Sequence, residues 1–144
     1  MKILILICTL FLSCNRCSDN MEDVQGIDFV EYSAITRGSS FSCIIDSNQI
    51  VVEFQGDEPF LKRRKIMADE WKDICESVHK LNLEDIGQLQ SSTALSASDR
   101  SRIANLVISV DEMEYESKAF DEGHPPDELR WVIDKIIALA KTVD

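Results

Sequence analysis

The chain has 144 residues, 44% hydrophobic and 28% charged, which suits one domain with a packed core. That balance excludes global disorder, collagen and a long coiled coil. With 26 acidic against 15 basic residues the net charge is −11, and so acidic a body repels phosphate backbones, which argues against a nucleic-acid partner.

The N-terminus carries the strongest signal. Met1-Lys2 precedes Ile3–Leu12, a mostly apolar run, then Ser13 and Cys14. One positive charge followed by a short apolar stretch is the pattern of a secretory signal. It is too short for a bilayer span, which needs about 20 apolar residues. A small residue before a cysteine at the end of that run looks like a bacterial lipoprotein signal, in which the thiol is acylated and becomes residue one after cleavage. Cys14 alone has both the position and the small neighbour. Cys8 lies inside the apolar run, and Cys17 follows Arg16. Phe11 and Leu12 are bulkier than usual for such a signal. The expectation is therefore a signal peptide over 1–13, an acylated Cys14 with a flexible tether over 14–26, and a single domain over 27–144. Two or three acyl chains hold stably where one holds only marginally. Loss of 1–13 removes Lys2 and leaves a charge of −12, so an anionic bilayer repels the domain and the lipid tethers it. The expected location is the cell envelope, at the outer membrane or a periplasmic face. Asp19, Glu22 and Asp23 in the tether resemble export tags of some surface-displayed lipoproteins, or serve only as solvated linker.

The body alternates strands and helices. Residues 27–36, 40–46 and 49–55 are rich in β-formers with period-two patterning, and polar turns separate them. They predict an antiparallel meander. Gly56-Asp57-Glu58-Pro59 closes it, and the run Lys62-Arg63-Arg64-Lys65 follows as a solvated loop or a charge-guarded edge strand. Met67, Trp71, Ile74, Val78 and Leu81 then recur at helical spacing and predict a helix over 68–80. Leu83, Ile86 and Leu89 add a further turn packed on the core. Residues 90–101 read as a Ser-rich loop, 102–110 and 113–120 as a hairpin with one wet face, and 126–141 as a second helix opened by Pro126. The predicted fold is α+β: an antiparallel sheet of about five strands, in the order βββαββα, with two helices on one face.

The Phe11-Leu12-Ser13-Cys14 signal end, the segment Glu31–Ser39, Trp71 in the first helix and Phe120–Pro126 before the last helix together resemble small uncharacterised lipoproteins of Bacteroidota, flavobacteria in particular. The family has no established activity. The resemblance therefore implies location and fold, and supplies no catalytic residues.

Chemistry is sparse. After Cys14 there remain Cys17, Cys43 and Cys75, an odd number that specifies no full disulfide framework. Cys43 and Cys75 form a bond if the fold joins them, or act as small buried hydrophobes. There is no His-Cys cluster with metal spacing, no nucleophile elbow and no phosphate-binding loop, so no cofactor and no metal are expected. Candidate binding residues are Arg37, Lys62, Arg63, Arg64 and His124. Arg37-Gly38-Ser39 is either an anion-holding turn or a plain bulge. Two functions follow. The first is a membrane-anchored envelope lipoprotein, attached to the bilayer through acylated Cys14, whose non-enzymatic domain binds a protein, peptide or glycan. The alternative is a small periplasmic hydrolase or metal-dependent enzyme using the Ser-rich loop, Asp99 and His124.

Overall fold

The computed structural model describes residues 26–91 and 102–144. The Ser-rich stretch from residue 92 to 101, with Asp99, and the whole N-terminal segment with Cys14 lie outside the described residues. The fold is α+β, as the patterning predicts. In chain order the elements are β1 (Ile27–Ile35), β2 (Ser40–Asp46), β3 (Gln49–Gln55), β4 (Phe60–Lys65), α1 (Ala68–Val78), a 3-10 helix (Leu83–Gln88), β5 (Ile103–Val110), β6 (Met113–Glu116), β7 (Phe120–Asp121) and α2 (Asp127–Ala140).

The sheet is antiparallel, ordered β4-β3-β2-β1-β5-β6, with β7 also paired to β5. Seven strands replace the expected five, for two reasons. First, the basic run is itself a strand: Phe60–Lys65 pairs along β3 from Phe54↔Phe60 to Gln49↔Lys65. Second, the segment 113–120 is broken. Ser117 N–H donates to Leu106 O (2.9 Å), while the Ser117 hydroxyl accepts from Leu106 N–H (3.0 Å). A side-chain oxygen thus stands where a backbone carbonyl would. Beyond it the pairing shifts by one residue, so β7 resumes the ladder at Ala104↔Phe120.

Alternation sorts each strand into a covered and an open face. Val30, Tyr32 and Ala34 of β1, Cys43 and Ile45 of β2, Ile50 and Val52 of β3, and Ala104, Leu106 and Ile108 of β5 are buried on one face. Trp71, Ile74 and Val78 of α1 and Leu129, Val132, Ile133 and Ile136 of α2 join them in one core. Both helices therefore lie on the same side. The opposite face, with Phe29, Glu31, Ile44, Val51 and Val107 half-buried, carries no helix among the described residues. Ile86 of the 3-10 helix is buried in the core, as its apolar spacing suggests.

Two local devices fix the frame. The β5–β6 turn uses Asp111 and Glu112, both with positive φ (50° and 64°), the geometry of a tight two-residue hairpin. Asp28 steadies that turn by accepting from Glu112 N–H (2.9 Å) and the Ser109 hydroxyl (2.8 Å). At the start of α1, Glu70 reaches back to accept Met67 N–H (3.0 Å), satisfying one of the amides that a helix start leaves open. No helix among the described residues is long and apolar enough to cross a membrane.

Candidate functional site

Strand alternation divides the basic run. In β4, Phe60, Lys62 and Arg64 share the helix-side face with Ile50, Val52 and Phe54, while Leu61, Arg63 and Lys65 share the open face with Val51 and Glu53. Four consecutive cations thus do not form one patch.

Arg64 is committed within the fold. Its Nη1 and Nη2 donate to the two carboxylate oxygens of Glu70, both at 2.8 Å, and its Nε donates to the Thr142 hydroxyl at 2.9 Å. Nη1 also donates to Lys65 O (3.0 Å). These bonds raise the guanidinium pKa and hold the Glu70 carboxyl below the usual carboxylate range, against an opposing effect of burial. Arg64 is therefore a fastening rather than an offered cation. Lys62 instead leans over the Phe60 ring, 5.4 Å from its centroid. Arg63 and Lys65 are exposed and have no ion-pair partner among the described residues.

β4 is also the sheet edge. Ile66 N–H donates to Asn48 O (3.2 Å), and the register continues from it in steps of two. Phe60, Lys62 and Arg64 therefore turn their backbone groups toward β3, and Leu61, Arg63 and Lys65 turn theirs outward. Beside the strand, on the helix side, Phe41, Val52, Phe60, Ile137 and Val143 line an apolar pocket of about 200 Å³ flanked by Lys62 and Lys141.

The other predicted site residues lie elsewhere. Arg37 is exposed in the β1–β2 connection, which is a closed turn: Thr36 N–H donates to Ser39 O (2.8 Å), and Gly38 N–H donates to the Thr36 hydroxyl (3.2 Å). That Gly38 amide already has its acceptor, which weakens the anion-holding reading. The turn borders an open recess that Asp57 also lines, at the Phe60 end of β4 and away from Lys65. His124 is exposed after β7, with Nδ1 3.3 Å from Glu122 O and its own carbonyl accepting from the Ser91 hydroxyl (2.7 Å). Glu122 pairs with Arg102 at 3.2 Å, and Arg102 lies 5.8 Å from the Phe54 ring centroid. Among the described residues no group of three or more His, Cys, Asp or Glu side chains is placed to hold a metal. Cys43 and Cys75 are free and buried, and burial pushes both thiols up to about 12, where they stay protonated and unreactive at neutral pH.

Near Arg102 and Glu122 the Tyr32 hydroxyl is buried with no hydrogen-bond partner among the described residues. Burial and the Glu122 charge push its pKa up to about 12, with Arg102 opposing. An unpaired buried polar group costs about 1–3 kcal/mol. Tyr32→Phe is therefore expected to raise stability by about 1 kcal/mol in urea denaturation. A loss of stability would mean that the hydroxyl is bonded.

A feature that the sequence reading does not single out is a cleft of about 680 Å³ between the end of α1, the 3-10 helix and α2, lined by Leu81, Ile86, Leu89, Trp131 and Val132 with Lys80, Asp85 and Glu128. Trp131 is 60% exposed there, with Lys135 Nζ 5.5 Å and Lys80 Nζ 5.9 Å from its ring. Its signal was present in the sequence: position 131 falls outside the apolar stripe of Leu129, Val132, Ile133 and Ile136. Comparison with protein-family models, curated proteins and solved structures yields no match to this chain.

Proposed function

We propose that the chain is a lipid-anchored protein of the bacterial envelope whose folded domain is a binding module. In this reading residues 1–13 are removed, Cys14 carries the acyl chains, and residues 15–26 tether the domain. The domain binds a protein or peptide partner through β4. The observation that carries the binding role is the sheet edge: among the described residues nothing bonds the outward-facing backbone of Leu61 and Arg63 or pairs with the cations of Arg63 and Lys65, and an apolar pocket lies alongside. Charge on an edge strand deters pairing with its own kind, which leaves this edge open to a strand of opposite charge. The location rests on the Lys2, Ile3–Leu12, Ser13-Cys14 pattern.

The test of location is fractionation of full-length protein made in a bacterium with lipoprotein processing. Wild type is expected in the membrane fraction, with an N-terminal peptide beginning at Cys14 and carrying two or three acyl chains. Cys14→Ser is expected to leave the membrane fraction or to accumulate with Met1 intact. An unchanged distribution, with no lipid on the wild-type peptide, sinks the anchoring.

A further inference from the structure

We propose that β4 takes up an extended acidic peptide as an added outer strand, with carboxylates at alternate positions facing Arg63 and Lys65 and an apolar side chain next to the Arg63-facing one, opposite Lys62, entering the pocket beside Phe60. The inference rests on the binding reading above and gives its partner a chemistry.

Three observations converge. The first is the backbone. Leu61 and Arg63 turn both N–H and C=O outward, and nothing among the described residues bonds them. Added-strand recognition uses such groups for affinity and leaves alternate side chains to give specificity. The second is charge placement. Arg63 and Lys65 are two residues apart on the open face, so a strand laid antiparallel against them meets both with side chains at i and i+2. On a chain of net charge −11 this is a local inversion of sign, which steers an acidic partner toward this edge. The third is the pocket. A residue opposite Lys62 points its side chain to the helix side, and there the pocket of about 200 Å³ opens between β4 and the end of α2. It has room for one branched aliphatic side chain. Backbone, charge and pocket thus call for one pattern, acidic and apolar residues in alternation.

The chain's own edges fit this role poorly. Two copies of β4 would set cation against cation. The opposite edge, β6, is covered at Glu116, whose carbonyl lies 3.2 Å from where a Cβ on Gly87 of the 3-10 helix would sit.

The experiment uses full-length protein in detergent and fluorescein-labelled eight-residue peptides, read by anisotropy at low salt. One peptide alternates glutamate and valine, a second has the same composition in two blocks, and a third alternates lysine and valine. The alternating acidic peptide is expected to bind roughly tenfold more tightly than either of the others. Arg63→Glu with Lys65→Glu, both exposed sites, is expected to reverse the preference toward the lysine peptide. Leu61→Pro removes an outward N–H that β3 does not use, which an edge strand tolerates. It is expected to weaken acidic-peptide binding roughly tenfold while far-ultraviolet circular dichroism stays unchanged. Equal binding of the block and alternating peptides means attraction by charge alone and overturns strand addition. So does indifference to Leu61→Pro, self-association of the unliganded protein through β4, or transfer of the charge-reversal effect to vesicles rich in anionic lipid. None of these outcomes touches the anchoring at Cys14, which fractionation decides separately.

Discussion

Leu106→Ala is expected to lower the unfolding free energy by ~3 kcal/mol, within the ~2–5 kcal/mol range of leucine truncations in cores. Leu106 is fully buried in β5, a strand paired on both sides. Its side chain lies on the covered face, in the core shared with α1 and α2. The backbone around it has little freedom to close the void. Leu106 N–H and C=O are both held by Ser117, and β1 pairs Tyr32 directly opposite. The cost therefore combines lost burial with a cavity that persists. The next residue gives the contrast. Val107 is on the open face and half-buried, so Val107→Ala is expected to cost less than ~1 kcal/mol. Urea denaturation followed by the fluorescence of buried Trp71 measures both, with the denaturant slope unchanged. Equal losses at 106 and 107 would contradict the difference in burial between the two faces of the sheet.

Arg64→Ala is expected to cost about 2 kcal/mol, the scale of hydrogen bonds to charged groups. One guanidinium joins three parts of the fold: the edge strand β4, the first turn of α1 through Glu70, and the turn after α2 through Thr142. Its loss also leaves Glu70, only 16% exposed at the side chain, without its cation. The same pair predicts a pH effect. The hydrogen bonds from Arg64 hold the Glu70 carboxyl below its ordinary range. A depressed folded pKa means that the contribution is complete above the unfolded value of ~4.3 and is lost as pH falls through the folded value. Wild type is therefore expected to lose stability more steeply than Glu70→Gln between pH ~5 and ~3. Parallel stability curves in urea over that window would show that the pair contributes nothing. Surface pairs often contribute little, but here the contact is bidentate and partly shielded from water.

The fold was legible wherever a residue's own pattern reported its neighbours. Period two in 27–36, 40–46 and 49–55 marked half-buried strands, and the 3–4 spacing of Trp71, Ile74 and Val78 marked a helix with one face on a core. β4 was legible only as one of two readings, a charge-guarded edge strand or a solvated loop, because its covered face carries Lys62 and Arg64 beside Phe60 in place of two further apolar residues. An edge strand buries so little that charge is tolerated there, and the hydrophobic signal fades with it. The break at Ser117 was hidden for a different reason: a hydroxyl standing in for a backbone carbonyl leaves no mark on hydropathy.

The candidate site shows the same division. Sequence singled out Lys62, Arg63 and Arg64 by their adjacency, and adjacency was misleading, because in a strand neighbours point to opposite faces. Arg64 turned inward to Glu70, six residues on, and to Thr142 at the far end of the chain.

By itself the sequence determined the class of fold, the two helix stripes, the acidic balance and the expectation of an anchor at Cys14, because each is a property of composition or of short-range spacing. Only tertiary structure decided which cations are free, that β4 lies at the edge with outward backbone, and that an apolar pocket opens beside it. Those depend on pairings between segments distant in the chain, and local spacing carries no record of which distant segment a residue will meet.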